Sequence, residues 1–579
     1  MNNSPSSAPK SEISPTSKMR PIPPAHEHVQ VNGCKTPGCE NFGVPPREGR
    51  FLKGPGAALR GDGYAVVGTG STGLSCKKCT KFSTLKSNKG VHEELQRQGS
   101  YLWVQSPLIC DCGNTTRFRK YGKTRSGSDR WQCRDCKKTM SLGKPTRSQK
   151  KPHKNSLVFD LLVNKSPINR MMEIAELGVA ALYGKIDFIY EQCRLFAAER
   201  EMKLRNMSFE RLYLCTDRQD YMVNWGDRRA RKTVQLTAIA TADLKSGYLF
   251  AMSPNFDKSM LPGDLEDAAK KAGDADKPIP MRDFARVWTQ DDYAGSVLRT
   301  ATGSNKARDD LDAPEGLTDE QQLPTTGVQV HADYLMHGHY WLLRYLLPNV
   351  GKYRFFIDGD SGLLGACMGA FSGEIASRKA DIVVAYISKT LNTIQRQNKN
   401  AEARAWFRDE RKKYPDLSDK EAKTAIMAAQ IAAIRAASPT PNTALQQTTI
   451  THPFPDAAEP EKRVRYVTDY GDYDDAHTAN LLMKATLWPV DTVFNRIRRR
   501  IAFCERPIRS VRRANGLWDI YAPYDPAMIE KVLTIYRVWH NFVWVSPKTK
   551  KTAAEGLGLA AGKIRTQDIL YFDIRDSLK

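Results

Sequence analysis

Long apolar runs are missing from this 579-residue chain. No stretch of about 18 consecutive apolar residues occurs, which excludes a helical membrane span. Met1 to Pro24 also lacks the apolar block of a secretory signal; it is Ser/Pro-rich, and residues 1–30 read as a disordered leader. With neither feature the protein is expected in the cytoplasm, where thiols stay reduced and clustered cysteines indicate metal rather than disulfides. Acidic residues are scarce at the front: residues 1–150 hold 26 Lys/Arg against 10 Asp/Glu, so +16 of the net +24 falls there. A one-ended basic excess is the electrostatic footprint of a polyanion, nucleic acid first, because neutralising phosphates releases counterions. What is plentiful is foldable sequence. Hydrophobic residues make up 41% and aromatics 9%, over a length sufficient for three or four domains.

Cysteine is used sparingly and in clusters. Of 12 cysteines, eight form four close pairs: Cys34/Cys39, Cys76/Cys79, Cys110/Cys112 and Cys133/Cys136. Two such pairs separated by a short sheet-forming stretch can surround one tetrahedral Zn²⁺. Between the last two pairs lies a basic segment with Arg117, Arg119, Lys120, Lys123, Arg125 and Arg130, which reads as a hairpin turning at Ser126-Gly127. This set, residues 105–143, resembles the zinc ribbons at the front of many insertion-element transposases. The resemblance makes the six basic residues DNA-binding. Cys110-Asp-Cys112 departs from the usual two-residue spacing, so Cys110 is the ligand that fits least well. The first set, residues 31–95, has looser spacing around a Gly-rich middle and makes a second ribbon. Zn²⁺ is therefore expected at one or two structural sites.

Beyond a Lys/Arg-rich linker, residues 155–205 turn helical. Ser166-Pro167 marks a helix start, Gly178 a turn, and Ala180 to Leu195 a second helix, the spacing of a helix-turn-helix. From Arg211 the periodicity becomes strand-like. Leu212 to Thr216 ends in Asp217, with Asp220 as a weaker rival. Val234 to Ala240 and Gly247 to Met252 complete a meander. A helix from Tyr334 to Leu347, a strand Tyr353 to Ile357 ending in Asp358-Gly-Asp360, a helix Leu363 to Phe371 and a strand Asp381 to Ile387 follow.

The order βββ-α-β-α-β, with aspartates ending the first and fourth strands, resembles the ribonuclease-H-like core of DDE transposases, here residues 210–510 with insertions at about 257–327 and 395–460. In that fold strands one and four are neighbours. The resemblance therefore makes Asp217 and Asp358 (Asp360 as alternate) ligands of Mg²⁺ or Mn²⁺, which prefer oxygen donors. The third acid of that family lies on a later helix. Asp491, Asn495 and Arg498 share one helix face, and the likeness makes Asp491 the acid and Arg498 a DNA contact. Glu505 is the alternate, about 21 Å further along a continuous helix, so one of the two can reach the metal pair. Residues 511–579 resemble the helical C-terminal end of the same proteins. The overall expectation is a multidomain α+β chain that binds the inverted repeats of an insertion element and cuts and joins duplex DNA. It would act as a homodimer or higher oligomer, associated with the nucleoid and without a membrane partner. The rival expectation is a domesticated zinc-dependent DNA-binding regulator with an inactive core.

Overall fold

The computed structural model describes residues 22–46, 63–68, 72–103, 110–114, 117–125, 128–141, 149–225, 234–294, 326–359, 361–388, 391–453, 458–505 and 521–573. Asp360, the Ser126-Gly127 turn and most of the leader lie outside them. Two small three-stranded sheets come first: β1 to β3 (Tyr64–Val67, Gly73–Cys76, Phe82–Thr84) and β4 to β6 (Phe118–Lys123, Asp129–Cys133, Thr139–Ser141). Helix α1 (Asn88–Gly99) links them, capped by Ser87, whose hydroxyl accepts from the Gly90 amide. Three helices follow: α2 (Asn155–Leu162), α3 (Ile168–Ala175) and α4 (Val179–Glu201).

The main sheet grows out of β7 (Phe209–Val223), in which side chains alternate between two buried faces. Leu212, Leu214 and Thr216 point one way; Tyr213, Cys215, Asp217, Gln219 and Tyr221 point the other. Six more strands join it: β8 (Val234–Asp243), β9 (Leu249–Pro254), β12 (Val350–Asp358), β13 (Ala380–Tyr386), β14 (Ile450–Thr451) and β15 (Arg463–Tyr466). A two-stranded pair, β10 (Phe256–Asp257) and β11 (Val328–Gln329), stands apart. The spatial order is β9-β8-β7-β12-β13-β15-β14. β7, β8 and β9 form an antiparallel meander, whereas β12 runs parallel to both β7 and β13. The fold is thus mixed α+β around a seven-stranded sheet.

Several expected boundaries shift. The first strand does not stop at Asp217: continued alternation through Tyr221 and Val223, paired with Leu236 and Val234, carries it on, so Asp217 lies inside a 15-residue strand. It is the pairing with β12 that stops beside it, at Thr216↔Ile357. Helix α1 was missed, and it crosses the expected end of the first ribbon at residue 95 to pack on α6 (Ala332–Leu346). Gly338 permits this approach, since a Cβ there would lie 2.7 Å from Glu94. The helical insertion is two capped helices, α9 (Thr393–Arg411) and α10 (Asp419–Ala437), broken around Pro415. Helix α5 (Pro262–Ala272) precedes α6 in the chain, and α7 and α8 (Ser361–Ala370, Ser372–Ala376) follow β12.

The two faces of the sheet are covered differently. On the Thr216 face, α6 sends His339 Nε2 to Thr241 Oγ1 at 2.7 Å, and Thr241 pairs with Thr216 Oγ1 at 2.7 Å. On the Asp217 face lies α12 (Trp488–Arg500), after α11 (Asp475–Leu482); α12 packs on β7 and β8 through Val490, Val493, Phe494 and Ile497. Opposite it β8 presents Ala238, Ala240 and Ala242, whose small side chains let a helix axis come close. Among the described residues no helix is long and apolar enough to cross a membrane.

The three-helix segment is fixed to the sheet by a buried ion pair. Glu201, at the end of α4, accepts from Arg537 of α13 (Ala527–Val538) at 2.5 Å and from Tyr248 at 3.1 Å, and Tyr101 also donates to it. Arg537 donates on to the Phe250 carbonyl at 3.0 Å. Both partners are almost fully buried. Glu201→Ala is expected to cost roughly 3–5 kcal/mol, because it strands a buried guanidinium. Urea denaturation measures this, and a loss under about 1 kcal/mol would show the pair to be replaceable.

Candidate active site and metal centres

Both cysteine sets assemble. In each, four thiol sulfurs lie within 4.8 Å of one another. Cys34–Cys79 and Cys39–Cys76 are 3.5 and 3.7 Å apart, and Cys110–Cys136 and Cys112–Cys133 are 3.1 and 3.7 Å apart. A Zn–S bond of about 2.3 Å implies a sulfur tetrahedron with edges of about 3.8 Å, so both sets fit zinc. All eight are free thiols, and Cys110 belongs to its cluster despite the short Cys-Asp-Cys spacing.

The second pair of each set is built alike. Cys76 and Cys133 accept an amide bond from the residue four further on, Thr80 and Lys137, both of which adopt positive φ. This turn aims amides at sulfur. Burial opposes ionisation of Cys76, but amides of Cys79 and Lys78 and the Asn41 side chain bring its thiol down to about 7. For Cys133 the same balance, with Asn114 in place of Asn41, gives about 6. A thiol poised to ionise is what metal binding needs.

The two clusters sit in different surroundings. The first is tied into the body: Lys86 pairs with Asp333 of α6 at 2.5 Å, the Ser87 amide donates to Tyr334, and Gly43 lies against Ser372. In the second, the hydrogen bonds and ion pairs described for residues 110–141 are internal. Arg117 pairs with Asp135 at 2.9 Å, Arg119 donates to Gln132 at 2.5 and 2.8 Å, and Arg130 donates to Thr139 at 3.1 Å. Lys120 lies over the Trp131 ring, and Lys123 and Arg125 are exposed.

The helix-turn-helix segment of the sequence becomes α3, a turn with Glu176 left-handed, and α4. The first two turns of α4 expose Val179, Ala180, Ala181 and Gly184. Lys185, the one basic residue there, is buried and donates to the carbonyls of Lys150 and Lys151 and to Asn155.

The expected acids are distributed over one sheet face. Thr216 pairs with Ile357, so the next residues along, Asp217 and Asp358, are lateral neighbours on the face opposite to Thr216. Asp217 is 5% exposed, and its Oδ1 accepts from the Arg218 amide at 2.7 Å. Asp358 is half-buried and pairs with Ala385 of β13. Asp220 belongs to the other face, is exposed, and accepts from Thr237 at 2.7 Å.

Helix α12 packs on β7, and its Arg498 reaches β7 two residues beyond Asp217. Gln219, with its amide oxygen turned to the guanidinium, accepts from Arg498 at 2.5 and 3.2 Å. At the other end, burial and then the charges of Asp243, Glu459 and Asp491 hold the Cys215 thiol well above its usual range. Cys215, Asp217 and Gln219 point to the same face, and the helix that covers it carries Asp491 seven residues before Arg498. Glu505 lies beyond the helix end at Arg500 and pairs with Lys165 at 2.6 Å. The three acids do not close to coordination distance; among the described residues, only the cysteine sets bring three or more ligand atoms within 4.8 Å.

Sequence reasoning missed Gln219 and Glu459. Gln219 had a usable signal, two residues beyond Asp217 and so on the same face. Glu459 had none. Buried and paired with Lys462 at 2.6 Å, it caps α12 from a distant loop by accepting from Thr486 and the Leu487 amide. Comparison with family models, curated proteins and solved structures finds no match for this chain.

Proposed function

We propose that this protein is a DDE-type transposase of a bacterial insertion element, performing divalent-metal-dependent cleavage and joining of DNA strands. The observation that carries the reading is the register that makes Asp217 and Asp358 lateral neighbours beneath the helix bearing Asp491. The sheet order supports it. With β7 as strand one, the order three-two-one-four-five and the parallel placement of four and five are what a ribonuclease-H-like core requires. The basic N-terminal region, the two zinc-compatible clusters and the α3–turn–α4 segment support a DNA-binding front end for duplex ends and target.

Asp217, Asp358 and Asp491 would hold Mg²⁺ or Mn²⁺, which would supply Lewis-acid stabilisation of the reacting phosphate oxygens and activation of the attacking hydroxyl. Buried Asp217 and half-buried Asp358 offer oxygen donors from rigid strands, and Asp491 rides on a helix whose start is fixed by Glu459. Arg498 is held by Gln219 beside Asp217, where its guanidinium can bind a phosphate oxygen flanking the cut.

The test is nicking and joining of a supercoiled plasmid that carries the DNA flanking the gene, with and without Mg²⁺ or Mn²⁺. Asp491→Ala is expected to remove both products, while Glu505→Ala keeps them. The reverse pattern would move the third acid to Glu505. A protein that binds the flanks but nicks with neither cation is instead the DNA-binding regulator.

A further inference from the structure

The second zinc-compatible sheet has two unlike faces. Phe118, Lys120, Trp131, Cys133 and Met140 alternate onto the cluster side, where Trp131 is 6% exposed. The opposite face is formed by Arg119 and Tyr121 on β4, Arg130 and Gln132 on β5 and Thr139 on β6. Nothing apolar covers it among the described residues. Yet Tyr121 stands there 48% exposed, with the guanidiniums of Arg119 and Arg130 5.8 and 5.9 Å from its ring centroid. Both arginines are oriented from within the sheet: Arg119 by Gln132, itself fixed by donating to the Lys137 carbonyl at 2.9 Å, and Arg130 by Thr139. Residues 117–138 hold nine Lys/Arg against two Asp.

We infer that this outward face is a nucleic-acid surface on which Tyr121 supplies a salt-independent contact to sugar or base, while Arg119 and Arg130 neutralise phosphates. The inference rests on the reading of the chain as a DNA-handling protein, and assigns the contact to this sheet and to a residue that charge alone would not single out. Three features point to nucleic acid. An exposed aromatic set between two guanidiniums suits a ring edge or base face flanked by phosphates. The excess of positive charge calls for a polyanion. Among the described residues, the polar contacts of this face, Arg119–Gln132 and Arg130–Thr139, are within the sheet. The first sheet also exposes an aromatic, Phe82 at 56%, but the residues flanking its strands, Lys86, Ser87 and Gly43, are committed to α6 and α8.

Salt separates the two kinds of contact. The full-length, zinc-loaded protein is titrated with a short mixed-sequence DNA duplex over a series of NaCl concentrations, and with the single strand in parallel. Tyr121→Ala is expected to weaken binding roughly tenfold at every salt concentration with the log–log slope unchanged. Tyr121→Phe should bind like wild type. Arg119→Ala and Arg130→Ala should each flatten the slope by about 0.9. Stronger loss on the single strand assigns Tyr121 to base stacking, and equal loss assigns it to the backbone. Zinc content of each variant controls for folding. If Tyr121→Ala leaves affinity and slope untouched at full zinc content, the inference is overturned, whether or not nicking still depends on Asp217. If nicking is metal-independent while Tyr121→Ala shows its salt-independent loss, the transposase reading fails and this surface stands.

Discussion

Asp217→Asn and Asp358→Asn are each expected to lower metal-dependent strand cleavage by at least roughly a thousandfold, well beyond the 10–100-fold typical of groups that only orient a metal ligand. DNA binding should be unchanged. Asn is the sharper substitution at position 217, because the residue is buried and its Oδ1 already accepts from the Arg218 amide. An amide oxygen keeps that bond and the shape of the side chain while removing the charge a cation needs. Loss of activity with an unaltered unfolding transition then reports on chemistry. The neutral variant should be at least as stable as wild type, since an acid on a shared, partly desolvated face costs the folded state. Nicking by Asp217→Asn at the wild-type rate would remove the enzyme assignment. Loss of DNA binding together with activity would instead show that the sheet and the front end are not separate in function.

The parts of this arrangement that were readable in the sequence are those governed by short-range pattern. Short apolar, strand-like runs marked the strands carrying Asp217 and Asp358, and the i, i+4, i+7 spacing in Asp491, Asn495 and Arg498 marked a helix face. Cysteine pairing marked both zinc-compatible clusters, since two close pairs of thiolates can surround one tetrahedral ion. What stayed hidden depends on long-range packing. The length of β7 beyond Asp217 is set by its partner β8, not by a turn residue in its own sequence. The last two strands on one side of the sheet, β15 and β14, are four and two residues long, too short for periodicity. The helix cap from Glu459 spans 28 positions to Leu487 and has no local signature. Ser87-Asn-Lys-Gly90 did carry a local cap signal for α1, but the neighbouring cysteines drew the boundary of the ribbon past it.

Removing metal from the two cysteine clusters is expected to have different consequences, and here the effect on stability should be the largest of any substitution. A structural Zn²⁺ is worth about 10–16 kcal/mol in apparent binding energy, as much as an entire domain's net stability of about 5–15 kcal/mol. The second cluster holds together a sheet with one deeply buried aromatic, Trp131, and, among the described residues, polar contacts within the sheet. Cys133→Ser should therefore unfold that sheet locally, release one zinc per chain and weaken DNA binding, with the main unfolding transition almost unmoved. The first cluster lies on a surface continuous with the core, through Lys86–Asp333, the Tyr334 hydroxyl on Ser87 and Asn88, which accepts from the Val31 amide at 2.9 Å. Cys76→Ser loses a zinc there and exposes the ground on which α1 and α6 meet, so the main transition itself should fall by several degrees or more. Zinc content by elemental analysis, read beside calorimetry, separates the cases. Equal shifts of the main transition in both variants would mean that the second sheet is also bound into the body, and its proposed availability to DNA would have to be abandoned.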